Sequence, residues 1–382
     1  MKLLPKSLPR IVTAILCAVL VLSLAACKHS GGRVLEVAYV SGVQVVLRDR
    51  VAAVFEKAGL VKNGDRVEVL DHDRHFVKVR TASGQMGWME QRYIVSQDVY
   101  DRLQKLTAEN LNDPVQAQGI TRNDTNLHVE PGRETEHLYQ ILTGERLLLL
   151  KRGTAEKTSV ATPTRAANSA AKSIAKSEKS PGKPSGKKDE KQPEKKAPES
   201  APAPSSVPHP AAPPAPIEDW WLVRDTHARV GWVLARMVDL DVPLEVAQYA
   251  EGQRIMAFFA LNEVQDGDKK IPQYLTVLTE PRDGLPFDFN QFRVFTWNVR
   301  RHRYETAYRE RVEGVLPVTV AQEDFGKEGV LPVFVVRVLG DDGKVSERKY
   351  KLNTPMVRRV YAPGEEPTHA TATRRPTRKR KR

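Results

Sequence analysis

The chain has 382 residues, a formal net charge of +13 and two cysteines, Cys17 and Cys27. Cys17 lies within an apolar N-terminal run and Cys27 follows it. The rest of the chain therefore has no thiol pair for a disulfide, no thiol nucleophile and no cysteine-ligated metal site. The positive charge sits in arms: residues 151–216 hold 13 Lys/Arg against 6 Asp/Glu, and residues 374–382 hold 7 Lys/Arg. What remains is mildly acidic, so the high isoelectric point does not describe a nucleic-acid-binding fold.

The chain opens with Lys2, Lys6 and Arg10, followed by an apolar stretch from Ile11 to Leu24 that is interrupted only by Thr13 and Ser23. Roughly 14 residues is short of the ~20 a membrane span needs. A basic flank, a short apolar core and small residues together form the pattern of an export signal. An uncleaved anchor helix is the competing reading. The stretch ends in Leu24-Ala25-Ala26-Cys27, which resembles the lipobox of bacterial lipoproteins. That resemblance implies cleavage after Ala26 and acylation of Cys27, whose chains would hold the protein in a lipid bilayer at ~0.8 kcal/mol per buried methylene. Lys28, rather than Asp, follows the cysteine, which favours the outer membrane facing the periplasm.

Beyond the Gly31-Gly32 spacer, short strands are expected around Val43–Arg48, Arg66–Leu70, Phe76–Arg80 and Gly87–Met89, separated by turn residues. Several short strands in about sixty residues suggest a small barrel. Ser96 stands where a helix could start. Val99, Leu103 and Leu106 then share one face, which reads as a connector packed on the first barrel.

An internal repeat comes next. Asn63-Gly64-Asp65-Arg66-Val67 is echoed by Thr143-Gly144-Glu145-Arg146-Leu147. Phe76-Val77-Lys78-Val79-Arg80 is echoed by Trp220-Trp221-Leu222-Val223-Arg224, and Gly87-Trp88-Met89 by Gly231-Trp232-Val233. Asn126-Leu127-His128-Val129 stands where the second copy opens. With these marks both units resemble bacterial SH3-like (SH3b) domains. The second copy fits better, since in the first Phe76 replaces a tryptophan and the opening asparagine is missing. The resemblance implies recognition of cell wall or of a peptide.

The second copy is split by a Lys/Ala/Ser/Pro-rich segment without aromatics, which cannot bury a core and reads as disordered. It is expected to leave the barrel after Leu147–Leu150 and return at Trp220. After Pro243, eight strands are expected: Arg254–Val264, Gln273–Leu278, Phe292–Asn298, Arg303–Arg309, Val315–Val320, Val330–Leu339, Ser346–Leu352 and Met356–Tyr361. The fold class is all-β: two small SH3-like barrels and then an antiparallel β-sandwich or meander. The expected order runs from a signal peptide (1–26) and a lipidated N-terminus with spacer (27–35) to SH3-like domain 1 (36–95) and a helical connector (96–118). SH3-like domain 2 (119–242) comes next, with its insert at 151–216, then the C-terminal β domain (243–362) and a basic disordered tail (363–382).

For ligands, Trp88 and Trp232 are expected to close the barrels, although Trp88 also qualifies for a carbohydrate or peptide cleft. Trp220 is expected to be the exposed member of the Trp220–Trp221 pair, because neighbours on a strand face opposite sides. Around Trp297, strand alternation places Arg301, Arg303, Glu305 and Arg309 on one face, and His302, Tyr304, Thr306 and Tyr308 on the other. Arginines so placed could hold an anion by bidentate contacts. A solvated hairpin with Arg–Glu pairs and a tyrosine face on the core explains the same residues. His72 and His75, beside Asp71 and Asp73, read as a polar hairpin tip rather than a metal site. No motif for nucleophilic, metallopeptidase or phosphate-binding chemistry is present. The expectation is therefore a non-enzyme with no cofactor, whose partners are the bilayer and either peptidoglycan or an envelope protein, with no nucleic acid. A scaffold for an envelope complex without wall affinity is the alternative. Two further readings stay open: an enzyme in the C-terminal domain, and an internal PxxP ligand at Pro210–Pro213.

Overall fold

The computed structural model describes residues 33–157 and 215–361. Ala26, Cys27, the signal segment, most of the insert and the basic tail lie outside the described residues. Among the described residues, no helix is long and apolar enough to cross a membrane.

The first barrel comprises β1 (Glu36–Val40), β2 (Gln44–Arg48), β3 (Lys57–Lys62), β4 (Arg66–Asp73), β5 (Phe76–Thr81), β6 (Met86–Glu90) and β7 (Ile94–Ser96). Its antiparallel order is β3-β2-β6-β5-β4-β1-β7. Alternation fills the inside with Val45, Leu47, Val67, Val69, Val77, Val79 and Met89. The second barrel comprises β8 (Ala117–Thr121), β9 (Thr125–His128), β10 (His137–Ile141), β11 (Arg146–Glu156), β12 (Ile217–Arg224), β13 (Val230–Leu234) and β14 (Val238–Leu240). Its order, β10-β9-β13-β12-β11-β8-β14, matches the first position for position.

The repeated residues have equivalent jobs. Gly64 and Gly144 both sit at φ 84°, where a side chain would be strained. The acid after each glycine caps the turn: Asp65 accepts from the Lys62 amide at 2.8 Å, and Glu145 from the Leu142 amide at 3.2 Å. The glycine of each Gly-Trp pair lets two strands close up. A Cβ at Gly87 would lie 2.7 Å from that of Leu47, and one at Gly231 would lie 2.8 Å from that of Leu127.

Helix α1 (Gln97–Asn110) starts after Ser96, which occupies the cap position without a side-chain capping bond. It does not pack on the first barrel alone. Val99 and Leu103 join the core of the second barrel, and Leu106 packs on Leu150, Leu222 and Val230. The Thr107 hydroxyl accepts from the Val230 amide at 3.0 Å. The first barrel contributes Tyr39, stacked on Tyr100 at 4.1 Å.

Strand β11 does not end near Leu150. A bulge between Leu149 and Lys151 carries it on to Glu156, paired with Ile217, and the Lys157 amide closes the ladder on the Pro216 carbonyl at 2.7 Å. Arg152 on this extension is buried against Asp219 (2.7 Å), Asp288 (3.1 Å) and the carbonyls of Leu285 and Phe287. Asp219 also holds Arg254 at 3.1 Å and the Gly284 amide at 2.9 Å, fastening the second barrel to the C-terminal domain.

After the short α2 (Leu244–Ala247) come two four-stranded meanders. The first is β15 (Arg254–Asp266), β16 (Lys269–Thr279), β17 (Gln291–Asn298) and β18 (Arg303–Glu310). The second is β19 (Gly314–Asp324), β20 (Val330–Leu339), β21 (Val345–Asn353) and β22 (Met356–Val360). Phe292 of one sheet meets Phe334 and Tyr350 of the other at 5.7 and 5.2 Å, so the pair forms a sandwich.

Candidate ligand-binding faces

On β6 the inward positions are Gly87 and Met89, so Trp88 and Glu90 point outward, half-buried. Trp88 thus does not close the barrel; the smaller Met89 does. Register sets Trp88 beside Lys78 and Arg48, and Glu90 beside Phe76. The Arg48 guanidinium lies 4.4 Å from the Phe55 ring centre and 5.0 Å from that of Phe76, and donates to Glu90 at 3.3 Å. Glu90 also pairs with Arg92 at 2.8 Å, and Arg92 covers Tyr93 at 4.8 Å. The result is a run of aromatic rings bridged by cations and one carboxylate.

Phe55 comes from an irregular loop that Asp49 holds in place. The Glu56 amide donates to Asp49 Oδ1 at 2.7 Å and the Asp49 amide donates to the Glu56 carbonyl at 3.1 Å. The first of these bonds, ahead of the contribution from Arg50, holds the Asp49 carboxyl below its usual range. The loop presents Phe55 at 37% exposure and Val54 at 86%, and Val43 beside it is 53% exposed. Val43, Val46, Phe55 and Tyr93 line a groove with Arg48 and Glu90 at its edge. Rings and arginines with apolar neighbours can stack on a sugar or hold a peptide.

The second barrel fills the equivalent face with its own residues. Trp220, expected to be exposed, is 2% exposed, and Trp221 is buried as well. Alternation does put them on opposite sides, but neither side is wet. Trp220 meets His128 at 5.2 Å, and His128 meets His137 at 5.0 Å. Trp232 points outward rather than closing the barrel and lies over Gly153, where a Cβ would come within 2.6 Å of its ring. Burial, then the neighbouring His137, pushes the His128 imidazole down to about 4. Its Nδ1 sits 3.0 Å from the Thr135 hydroxyl.

On the C-terminal hairpin, Arg301 and Arg303 both spend their donors on Glu305, at 3.0 and 3.1 Å, and Asn298 adds a cross-strand bond to Glu305 at 2.9 Å. Asn298, then Arg303, holds the Glu305 carboxyl low. Trp297 packs edge-on against buried Tyr304 at 5.0 Å and donates to Asp266 at 2.7 Å, which His302 also contacts. The Tyr304 hydroxyl donates to the Pro272 carbonyl at 2.7 Å, and burial raises its pKa. Tyr304 and Tyr308 do not share a face. A register shift between Val294 and Phe295 leaves Ala307 as an extra residue. Tyr304 therefore packs with Phe295 and Val246, while Tyr308 packs with Phe292 and Tyr350. The hairpin is a charge-compensated tip over a tyrosine core.

Sequence reasoning singled out Trp88 on the wet face but missed Arg48, Phe55, Glu90, Arg92 and Tyr93. Alternation through Phe76, Trp88 and Glu90 carried part of that signal. Among the described residues, no group of three His, Cys, Asp or Glu could hold a metal ion.

Residues 50–95 match the bacterial SH3 domain family, a span that contains Phe55, Phe76, Trp88, Glu90, Arg92 and Tyr93. No curated protein matches the chain. Similar solved structures include an NlpC/P60 family protein from Bacillus cereus, 10% identical, which covers 84% of this chain and 95% of its own at a TM-score of 0.21. NlpC1 from Trichomonas vaginalis is 7% identical over 87% of this chain and 93% of its own, with a TM-score of 0.15. NlpC2 from Trichomonas vaginalis is 8% identical over 85% and 95%, with a TM-score of 0.15. Scores this low carry no argument about this chain.

Proposed function

We propose that this protein is a non-catalytic cell-envelope lipoprotein whose first barrel binds peptidoglycan. The observation that carries the reading is the half-open Arg48–Phe55–Phe76–Trp88–Glu90 face within and beside the segment that matches a bacterial SH3 domain. Lipobox-like Leu24-Ala25-Ala26-Cys27 supports a lipid anchor, and Lys28 an outer-membrane, periplasm-facing address. The second barrel, a further SH3-like copy by its strand order and turn residues, serves as a structural bridge to the sandwich. The basic arms add attraction to anionic envelope polymers that salt screens.

The test is co-sedimentation of residues 28–382 with purified peptidoglycan at low and moderate salt. Retention that survives moderate salt and is lost in Phe55→Ser/Trp88→Ala supports the reading. Retention only at low salt assigns binding to the basic arms. No retention at either salt favours a scaffold for an envelope protein complex.

A further inference from the structure

A cleft of about 470 Å³ lies between the second barrel and the sandwich, away from the aromatic face of the first barrel. Trp221 and Met256, both buried, form its apolar floor. Ala247 and Ala250 on the linker offer only methyl groups, leaving room for small side chains. The charged lining holds Arg122, Arg236 and Arg254 beside Asp239 and Asp283, with Asp219 and Glu218 next to the lining arginines.

The three guanidinia differ in what they have left to give. Arg122 is bound to Asp239 through two nitrogens. Arg254 is held between Asp219 at 3.1 Å and Asp283 at 2.9 Å. Arg236 has Glu218 at 3.9 Å, and that carboxylate is already gripped by Arg133 through two bonds of 2.7 and 2.6 Å. Arg236 therefore keeps a planar donor fork for an incoming carboxylate. A domain-interface crevice with an apolar floor and one available cation is a common form of small-ligand site.

We propose that this cleft binds the carboxylate end of a short peptide with small side chains. Arg236 takes the carboxylate, and the methyl side chains lie between Ala247, Ala250 and Trp221. The proposal does not depend on wall binding by the first barrel.

Calorimetric titration of residues 28–382 with tri-alanine and with its C-terminal amide tests it. Saturable binding of the acid is expected, weakened about tenfold or more for the amide and for Arg236→Gln, as befits a lost charged hydrogen bond. Ala250→Phe, which fills the cleft, should remove binding, and Trp88→Ala should leave it unchanged. Arg236 is exposed, so its variant is expected to keep the wild-type circular dichroism. Equal binding of acid and amide, full binding by Arg236→Gln, loss in Trp88→Ala, or no heat from the acid at millimolar concentration would each overturn the proposal.

Discussion

The two barrels share one strand order and one set of turn glycines, yet their outer faces have opposite fates. In the first, Phe76 and Trp88 stand half-open with Arg48 between aromatic rings. In the second, Trp220 and Trp232 occupy the same two positions, and His128 stands where Arg48 does. The added length of β11 and the Pro131–Thr135 loop close over them. A repeat in sequence is therefore not a repeat in exposure: one copy leaves this face half-open, and the other uses it as core.

The contrast is broken most severely at Trp220. Trp220→Ala should cost about 3–5 kcal/mol, because a buried indole leaves a cavity. Trp88→Ala at the equivalent outer face should cost less, about 1–2 kcal/mol, in line with its half-buried setting. Native-state hydrogen exchange of each barrel's strands measures both. Comparable losses would mean the two faces are equally structural.

Acid should act on the second barrel through His128. His128 is held neutral down to about 4 in the folded chain, whereas the unfolded imidazole gains its proton near 6.5. The unfolded state thus binds the proton first. Stability falls as pH drops from about 6.5 to about 4 and gains no further loss from this group below that. The full effect is on the order of 3 kcal/mol. His128→Gln should flatten this part of the pH profile of the second barrel's exchange protection, and an unchanged slope would assign it to other groups.

The smallest effect on stability is expected at Phe55. Phe55→Ser should shift the urea midpoint little, within about 0.5 kcal/mol, since surface changes seldom do more. Its loss of peptidoglycan retention, by contrast, should be clear. A variant that unfolds readily would make Phe55 part of the core instead of the ligand face.

Much of the sandwich was legible in the sequence. All eight expected strands are present, because alternating apolar residues were bracketed by turns such as Asp266-Gly267-Asp268, where Gly267 adopts φ 59°. The faces were less legible. Alternation correctly set Trp220 against Trp221, but what covers Trp220 arrives from residues 128–153, remote in sequence. Tyr304 and Tyr308 were separated by one extra residue, Ala307, which no local pattern announces. Phe55 sits in a segment without strand periodicity, and the Asp49–Glu56 clamp helps carry it to Arg48. Arg301 and Arg303 allowed either an anion site or a hairpin with Arg–Glu pairs by alternation, and the structure pairs both with Glu305.

The ladder that pairs Glu156 with Ile217 and ends in the Lys157–Pro216 bond brings both sides of the insertion point to neighbouring positions, about 5 Å apart. A segment joining them adds a loop-closure cost that grows by only about 0.6 kcal/mol per doubling of length. The site between residues 157 and 215 is therefore a ready port for engineering. An epitope, a cleavage site or a whole reporter domain with adjacent termini can be spliced there, leaving the aromatic face of the first barrel and the inter-domain clasp of Arg152 and Asp219 as they are.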